Sequence, residues 1–327
     1  MRRVFSALIV VLIAIPAVAI EPPAHTYSIV ARDAATGELG VAVQSHWFSV
    51  GSDVTWAEAG VGAIATQSFI DPAYGPRGLE LMKSGLSAKR ALEALVLVDE
   101  GRDVRQVAFI DAGGRVAAHT GSGCIEAAGH HVGDGYSVQA NMMLNEQVVP
   151  AMSRAYESSQ GALADRLIAA LEAAQAAGGD IRGKQSAAML IVKAESTGRP
   201  WADRVLELRI EDHPEPILEL KRLLNVQRAY QHMTAGDVAI ERNDLERAMT
   251  EYGEAVKLLP ANVEVQYWAA VTLATNGKFE QALPMFRSVF AADPNWIELT
   301  RRLHKPGIIP DTPEGRALVE RIITKGR

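Results

Sequence analysis

A period of 34 residues in the last third of the chain most limits what it can fold into. Four residues return in similar form at this spacing: Leu245, Ala248, Tyr252 and Pro260 are followed by Phe279, Ala282, Phe286 and Pro294. A helical hairpin accounts for the pattern, because the alanine allows two helices to approach closely and the proline ends the second one. No strand-like run occurs in this region, which is therefore predicted to be all-helical.

A period of 34 with small and aromatic residues at these places is the tetratricopeptide signature. Two repeats are clear, at about 235–259 and 269–292, and we assign 235–300 to the repeats and 301–327 to a helical tail. The segment 214–234 is predicted to be a connecting helix. The concave groove of such repeats binds a peptide or a partner protein, but packing against the preceding domain explains two repeats equally well.

Before residue 214 the chain alternates between strand and helix patterns. Short apolar runs predict strands at 27–31, 39–45, 61–67, 107–110, 115–119, 136–140, 185–192 and 205–210. Helical periodicity predicts helices at 78–83, 87–98, 146–158 and 163–177. Strands followed by a helix pair, twice over, favour a four-layer αββα sandwich of the α+β class over 26–213. A doubly wound parallel sheet would alternate single strands with helices.

The first residues have the pattern of a secretory signal. Arg2 and Arg3 precede the apolar stretch 4–15, Pro16 breaks it, and 17–19 reads Ala-Val-Ala, which is typical of a cleavage site. The stretch is on the short side for a membrane anchor and carries a proline. We expect cleavage after Ala19, a short pro-segment or linker at 20–25, and a periplasmic or secreted protein.

The charge balance argues against nucleic acid as a partner. The chain has 33 basic and 39 acidic residues, a net charge of −6, and loss of Arg2 and Arg3 would make it −8. Cys124 is the only cysteine, so no disulfide can form within the chain and the apolar core must stabilise it.

No motif predicts a cofactor or a metal. The spacing of His119, Cys124, His130 and His131 fits no zinc pattern, and adjacent histidines on a strand point to opposite faces. No G-x-S-x-G elbow is present, and 121–123 is too short for a phosphate loop. A lone cysteine with apolar neighbours is more often buried packing than a nucleophile.

Thr26 carries the most information about function, because a strand begins at this residue with no lead-in. An N-terminal-nucleophile hydrolase needs a residue of this kind, whose exposed α-amine serves as the base for its own hydroxyl. The alternative is that Thr26 is an ordinary strand residue, since threonine is common in strands.

Further candidate side chains lie where predicted strands begin or end. Gln67 and Asn141 follow two of the strands, and Asp180, Arg182 and Gln185 precede another. Loops at strand ends are where a scaffold usually presents functional groups. These residues also have ordinary explanations, because Asn and Gln often satisfy backbone groups and 180–185 has the composition of a charged turn.

Seven blocks of sequence resemble the bacterial and archaeal family known as domain of unknown function 1028. They occur in order at 26–33, 40–45, 60–67, 74–79, 118–121, 178–186 and 212–214, and the resemblance covers about 26–230. That family is grouped with the N-terminal-nucleophile hydrolases, so the resemblance also implies the αββα fold. It implies that Thr26 is the position of the nucleophile and that the reaction is amide hydrolysis.

The other site roles are hypotheses from position rather than from the family. The oxyanion of the tetrahedral intermediate needs preorganised donors, and Asn141 or Gln67 are the candidates. Asp180, Arg182 and Gln185 are candidates for orienting a polar or carboxylate substrate, since an arginine can hold a carboxylate with two hydrogen bonds.

The sequence departs from the family pattern just before Thr26. Cleavage after Ala19 leaves six residues in front of it, and Pro23 and His25 do not suit a signal peptidase cut next to Thr26. Either a second cleavage between His25 and Thr26 exposes the amine, or Thr26 is never a terminal nucleophile.

Two classes of function follow from these alternatives. The first is an exported amidohydrolase that acts on a small amide and docks a protein partner through its repeats. The second is a non-catalytic periplasmic scaffold or binding module. Glycine-rich strand edges would also suit a homodimer.

Overall fold

The computed structural model describes residues 26–327, so the predicted signal peptide and the segment 20–25 lie outside the described residues. An α+β domain is followed by an all-helical region. The strands are β1 (Thr26–Arg32), β2 (Leu39–Ser45), β3 (Thr55–Glu58), β4 (Gly62–Ser68), β5 (Arg105–Asp111), β6 (Val116–Thr120), β7 (Gly129–Gly133), β8 (Tyr136–Ala140), β9 (Ser186–Val192) and β10 (Arg204–Ile210). The helices are α1 (Gly51–Val54), α2 (Tyr74–Lys83), α3 (Ala88–Val98), α4 (Val148–Ser158), α5 (Leu163–Ala176), α6 (Pro200–Asp203), α7 (Pro216–Glu241), α8 (Leu245–Leu258), α9 (Val263–Thr275), α10 (Phe279–Ala292), α11 (Asn295–Arg302) and α12 (Pro313–Gly326).

The strands form two antiparallel sheets. Six strands pair in the order β10-β9-β2-β1-β8-β7, and four pair in the order β3-β4-β5-β6. The central strand β1 pairs with β2 from Thr26↔Ser45 to Arg32↔Leu39 without a register shift. One end of the larger sheet therefore contains the start of β1, the end of β2, the start of β9 and the end of β8.

Three apolar cores define four layers. Between the sheets lie aliphatic and small side chains from both, among them Val30, Val41, Ala63, Ala108 and Ala188. The outer face of the six-stranded sheet packs on α4 and α5, and that of the four-stranded sheet packs on α2 and α3. Because side chains alternate along each strand, every central strand supplies two cores. The αββα sandwich predicted from the order of elements is confirmed.

Local sequence explains where the outer helices begin. The Ser87 side chain accepts a hydrogen bond from the backbone N of Arg90, which caps α3 as predicted. The prediction that the preceding helix begins at residue 78 was wrong, because α2 begins at Tyr74. Pro76 lies in the first turn of α2, where proline is tolerated because the helix needs no backbone donor there.

Two strands escaped prediction from sequence. The edge strand β7 has the sequence Gly-His-His-Val-Gly and no apolar alternation, since its side chains are mostly exposed. The strand β3 is four residues long and follows the single helical turn α1 directly. Both are short and lie at or near sheet edges, where pairing with a neighbour replaces burial as the cause of the strand.

One helix, α7, belongs to both parts of the chain. Its first half packs Ile217, Leu220 and Leu224 into the core beneath the six-stranded sheet. Its second half packs Ala229 and Met233 into a helical core with α8 and α9. No loop separates the two halves, because α7 runs unbroken from Pro216 to Glu241.

The helical region is a stack of hairpins. Helices α8, α9 and α10 follow the predicted repeat, with Ala248 and Ala282 fully buried at the close approaches. The last two helices close the stack, since Tyr267 donates or accepts a hydrogen bond with Thr300 over 3.0 Å and Ile322 lies in the same core as Phe286. Within residues 26–327, no helix is both long and apolar enough to span a membrane.

Candidate functional site

The layer between the two sheets turns from apolar to polar at one end. Thr26 and Ser28 lie on the same face of β1 as Val30, which belongs to the apolar layer. The polar, fully buried side chains at this end include Thr26, Ser28, Ser45, Ser137, Gln139 and Asn141 from the larger sheet and Gln67 and Gln106 from the smaller one. Polar groups buried in this way need hydrogen-bond partners.

Thr26 is the first residue of β1, and its side chain is fully buried. Its hydroxyl donates to Ser45 Oγ over 3.2 Å, across the strand pair. Its carbonyl oxygen accepts from the backbone N of Asn141 over 3.1 Å and from Gln67 Nε2 over 3.1 Å. The structure therefore brings together the residue predicted as nucleophile and both residues predicted as oxyanion donors.

Gln106 links the two amides that flank Thr26, and it was not among the candidates selected from the sequence. Its Oε1 accepts from Gln67 Nε2 over 2.6 Å and from Asn141 Nδ2 over 2.9 Å. Its Nε2 donates to the carbonyl oxygens of Ala140 and Gly129 over 2.9 and 3.1 Å. Because carbonyls only accept, these two bonds fix the orientation of the Gln106 amide.

The side-chain amide of Gln67 donates its hydrogens to oxygens of the protein. Its Nε2 faces three oxygens, which are Thr26 O, Gln106 Oε1 and, at 3.4 Å, Gln139 O. Its Oε1 accepts from the Ser28 hydroxyl over 2.5 Å. Gln67 thus holds the backbone of Thr26 in place, and it would have to give up one of these oxygens to act as an oxyanion donor.

Each of the two flanking amides is followed by a residue in the left-handed region. Ser68, after Gln67, has φ +73°, and Met142, after Asn141, has φ +58°. This conformation costs a non-glycine residue about 1 kcal/mol or more. The backbone therefore turns sharply at the residue that directly follows each amide.

An ion pair clamps the turn after Gln67. Arg105 Nη1 donates to the Phe69 carbonyl over 2.6 Å, and its Nε donates to Asp99 over 3.0 Å. The Tyr74 hydroxyl donates to the same carboxylate, and burial followed by the charge of Asp99 raises the pKa of Tyr74. Burial opposes the charged form of Asp99, but the Arg105 bond and neighbouring donors outweigh it and lower the pKa of Asp99.

Asp180 and Arg182 form a pair at the same edge of the larger sheet. Arg182 donates to the buried Asp180 carboxylate with Nε over 3.1 Å and Nη2 over 2.7 Å. The carboxylate also accepts from the backbone N of His46 over 3.2 Å. The Arg182 guanidinium therefore already binds a carboxylate of the protein. The pKa of Tyr27, on the helix-facing side of the sheet, is raised by burial first and by the charge of Asp180 second.

Gln185 lies one strand further from the polar cluster. Its backbone N donates to the Ser45 carbonyl over 3.0 Å, which joins the loop to the strand that contacts Thr26. Its side chain donates to Asp212 over 3.2 Å, at the surface. The structure thus ties Gln185 to the site through its backbone, while the side chain contacts Asp212.

Among residues 26–327, no three His, Cys, Asp or Glu side chains are grouped as metal ligands. His130 Nδ1 lies 2.8 Å from Thr120 Oγ1, whereas the His131 ring contacts Tyr136, and neighbours on a strand are expected to point to opposite faces. Cys124 is partly buried, its thiol donates to the Arg105 carbonyl over 3.4 Å, and burial raises the pKa of the thiol. A raised pKa keeps the thiol protonated and weakens it as a nucleophile.

The fold and the site define a two-sheet αββα domain with a polar inter-sheet end, extended by tetratricopeptide repeats. The model of a family of unknown function, DUF1028, matches residues 26–220, and a tetratricopeptide repeat model matches 239–303. The chain belongs to the DUF1028 family.

One solved structure shows the same relationship. The crystal structure of protein SPO2555 from Silicibacter pomeroyi, also assigned to the DUF1028 family model, is 32% identical to this chain. The match has a TM-score of 0.56 and covers 66% of this chain and 92% of that one. No curated protein matches the chain.

Proposed function

We propose that the chain is an exported amidohydrolase of the N-terminal-nucleophile type that acts on a small amide. The observation that supports this most is the setting of Thr26, at the start of the central strand and buried in a polar cluster. The Gln67 side-chain amide and the Asn141 backbone N–H both donate to its carbonyl. The tetratricopeptide repeats support protein–protein interaction in general, and here we assign them to docking a partner.

The proposed reaction uses one residue as both nucleophile and base. Thr26 Oγ attacks the amide carbonyl, and its own α-amine takes the hydroxyl proton. Collapse of the tetrahedral intermediate passes that proton to the leaving amine and leaves an ester on Thr26, which water then hydrolyses. Asn141 and Gln67 are the candidate oxyanion donors, and each donates to Gln106 Oε1 in this structure, so either would exchange that bond for one to the oxyanion.

Substrate binding is assigned to the loop that leads into β9. Asp180 orients Arg182, whose partly exposed side chain would contact a carboxylate of the substrate, and Gln185 would contact it from the next strand. The substrate would then be a small amide with a polar or anionic end.

The α-amine of Thr26 exists only if the chain is cut between His25 and Thr26. The first test is therefore the intact mass and N-terminal sequence of the protein purified from the periplasm. A chain that starts at Thr26 supports the proposal, whereas a homogeneous chain that starts at Ile20 contradicts it.

Variants then test the hydroxyl. Thr26→Ser keeps a hydroxyl and should retain labelling by a β-lactone probe, whereas Thr26→Val keeps the volume and should abolish it. Thr66→Val is the matched control, because Thr66 is an equally buried threonine of β4 and donates only one long bond, to Asp71 O at 3.4 Å. Labelling of Thr26→Val at the wild-type rate would exclude Thr26 as nucleophile.

The second candidate is a non-catalytic scaffold. The observation in its favour is that the Thr26 hydroxyl is already hydrogen-bonded within the sheet, to Ser45. In that case partner capture through the repeats would be unchanged in Thr26→Val, and no amide would be turned over by the wild type.

A further inference from the structure

A path of hydrogen bonds links the buried polar cluster to His130 at the surface. His130 is exposed on the edge strand of the larger sheet, and its Nδ1 lies 2.8 Å from Thr120 Oγ1 on the edge strand of the smaller sheet. Thr120 Oγ1 in turn lies 2.9 Å from Gln106 Nε2. An exposed titratable ring is therefore one hydroxyl away from the residue that holds the amides next to Thr26.

Gln106 Nε2 donates to Thr120 Oγ1 and shares its two hydrogens between this hydroxyl and the carbonyls of Ala140 and Gly129. We assign the neutral His130 ring the tautomer with its proton on Nε2. In that tautomer Nδ1 accepts the hydrogen of the Thr120 hydroxyl. This chain of bonds crosses from one sheet to the other and returns.

We propose that His130 is a pH-sensitive positioning residue for the amide cluster around Thr26. Protonation places a hydrogen on Nδ1, so the ring can no longer accept from Thr120 and the Thr120 hydroxyl must turn away. A positive charge then stands next to the oxygen to which Gln106 donates. Gln106 shifts, and with it the positions of Gln67 and Asn141 that it holds.

The surroundings of His130 favour the neutral ring. Burial first, and then the nearby His119 and His131, lower the pKa of His130. His119 lies on β6, where its Nε2 contacts the Arg102 carbonyl over 2.8 Å, and Glu146, before α4, lines the same 290 Å³ surface depression as His130. The change is therefore expected below the ordinary histidine pKa of about 6.5.

The consequence for activity rests on the proposed function, but the test does not. The side-chain amide signals of Gln106, Gln67 and Asn141 are followed by NMR in the ¹⁵N-labelled full chain from pH 8 to pH 5. In the wild type all three should shift with the midpoint of the His130 imidazole. His130→Asn, which keeps an acceptor near the Nδ1 position, should lose those shifts.

Thr120→Val separates the relay from a through-space effect of the charge. Valine keeps the branched shape that suits the strand, and His130 should still titrate, but the three amide shifts at its midpoint should disappear. His131→Asn is the control, because this neighbouring exposed ring contacts Tyr136 instead, and the amide shifts should persist.

Amides that still follow His130 in Thr120→Val, or that do not move in the wild type while His130 titrates, would overturn the proposal. Thr26→Val should show the same amide titration as the wild type. Failure of the hydrolase proposal, seen as absent probe labelling, is thereby distinguishable from failure of the relay.

Discussion

Replacing Gln106 by leucine should destabilise the α+β domain far more than the same substitution at the half-buried Gln185. Leucine fills similar space but leaves two buried donors, one hydrogen each of Gln67 Nε2 and Asn141 Nδ2, without their acceptor. Each orphaned buried donor costs about 1–3 kcal/mol, so we expect a loss of roughly 2–6 kcal/mol in the free energy of unfolding. The matched control is Gln185→Leu, which breaks only a surface bond to Asp212 and should cost about 0.5 kcal/mol.

Scanning calorimetry of the full chain measures the difference. For a domain of this size each kcal/mol lowers Tm by about 2–4 °C, so Gln106→Leu should lower the Tm of the affected transition by roughly 5–20 °C. Gln185→Leu should stay within a degree or two of the wild type by the same scaling. If the two variants unfold at the same temperature, the polar cluster does not have the fixed pairing described above.

Three further predictions concern packing and pH. Gly78→Ala should destabilise the first domain by about 1–3 kcal/mol in urea denaturation, because the added methyl group would overlap the aromatic ring beneath α2; Gly253→Ala, with open space around it, should stabilise the repeats by up to about 1 kcal/mol. Asp99→Asn should make the loss of stability below about pH 4 less steep. The pKa of Asp99 is lowered in the folded state, so ionised Asp99 stabilises the fold above the pKa of the unfolded state, and this contribution is lost as the pH falls through the folded-state pKa. An unchanged pH profile of Tm would contradict this. Ile322→Ala should cost about 2–5 kcal/mol in the helical transition, since α12 is part of that core, whereas exposed Ile308→Ala should be nearly neutral.

Sequence patterns predicted the architecture because each layer leaves its own period. The strands buried on both faces have continuous apolar runs, and the outer helices have one apolar face each, so their order along the chain was sufficient to predict the sandwich. The repeat was visible because Ala248 and Ala282 must be small where helices touch. The edge strand β7 left no such pattern, since its pairing satisfies backbone groups rather than side chains.

The candidate site could be predicted only in part. Thr26, Gln67 and Asn141 stood out because they occur where predicted strands start or end, and the structure brings them into contact. Gln106 lay one residue outside the predicted strand and was missed. A signal for it was present, because Gln106, Ala108 and Ile110 alternate on the face that meets the other sheet, and a polar residue in that series demands partners.

Partners themselves are a property of the fold rather than of the local sequence. Gln67 and Gln106 are 39 residues apart, and Gln106 and Asn141 are 35 apart, so no window of sequence contains the cluster. The pairing of Arg182 with Asp180 was hidden for a different reason. Both residues were visible as charges in a turn, but only the folded loop shows that they bind each other.

The unbroken course of α7 makes the two parts of the chain a single mechanical piece. The family match ends at 220 and the repeat match begins at 239, so the stretch between them is helix that neither match claims. At 1.5 Å per residue, the 26 residues of α7 form a rod about 39 Å long. Cutting it anywhere would strip buried side chains from one half or the other. A partner bound by the repeats would therefore be connected to the α+β domain through a helix rather than through a loop.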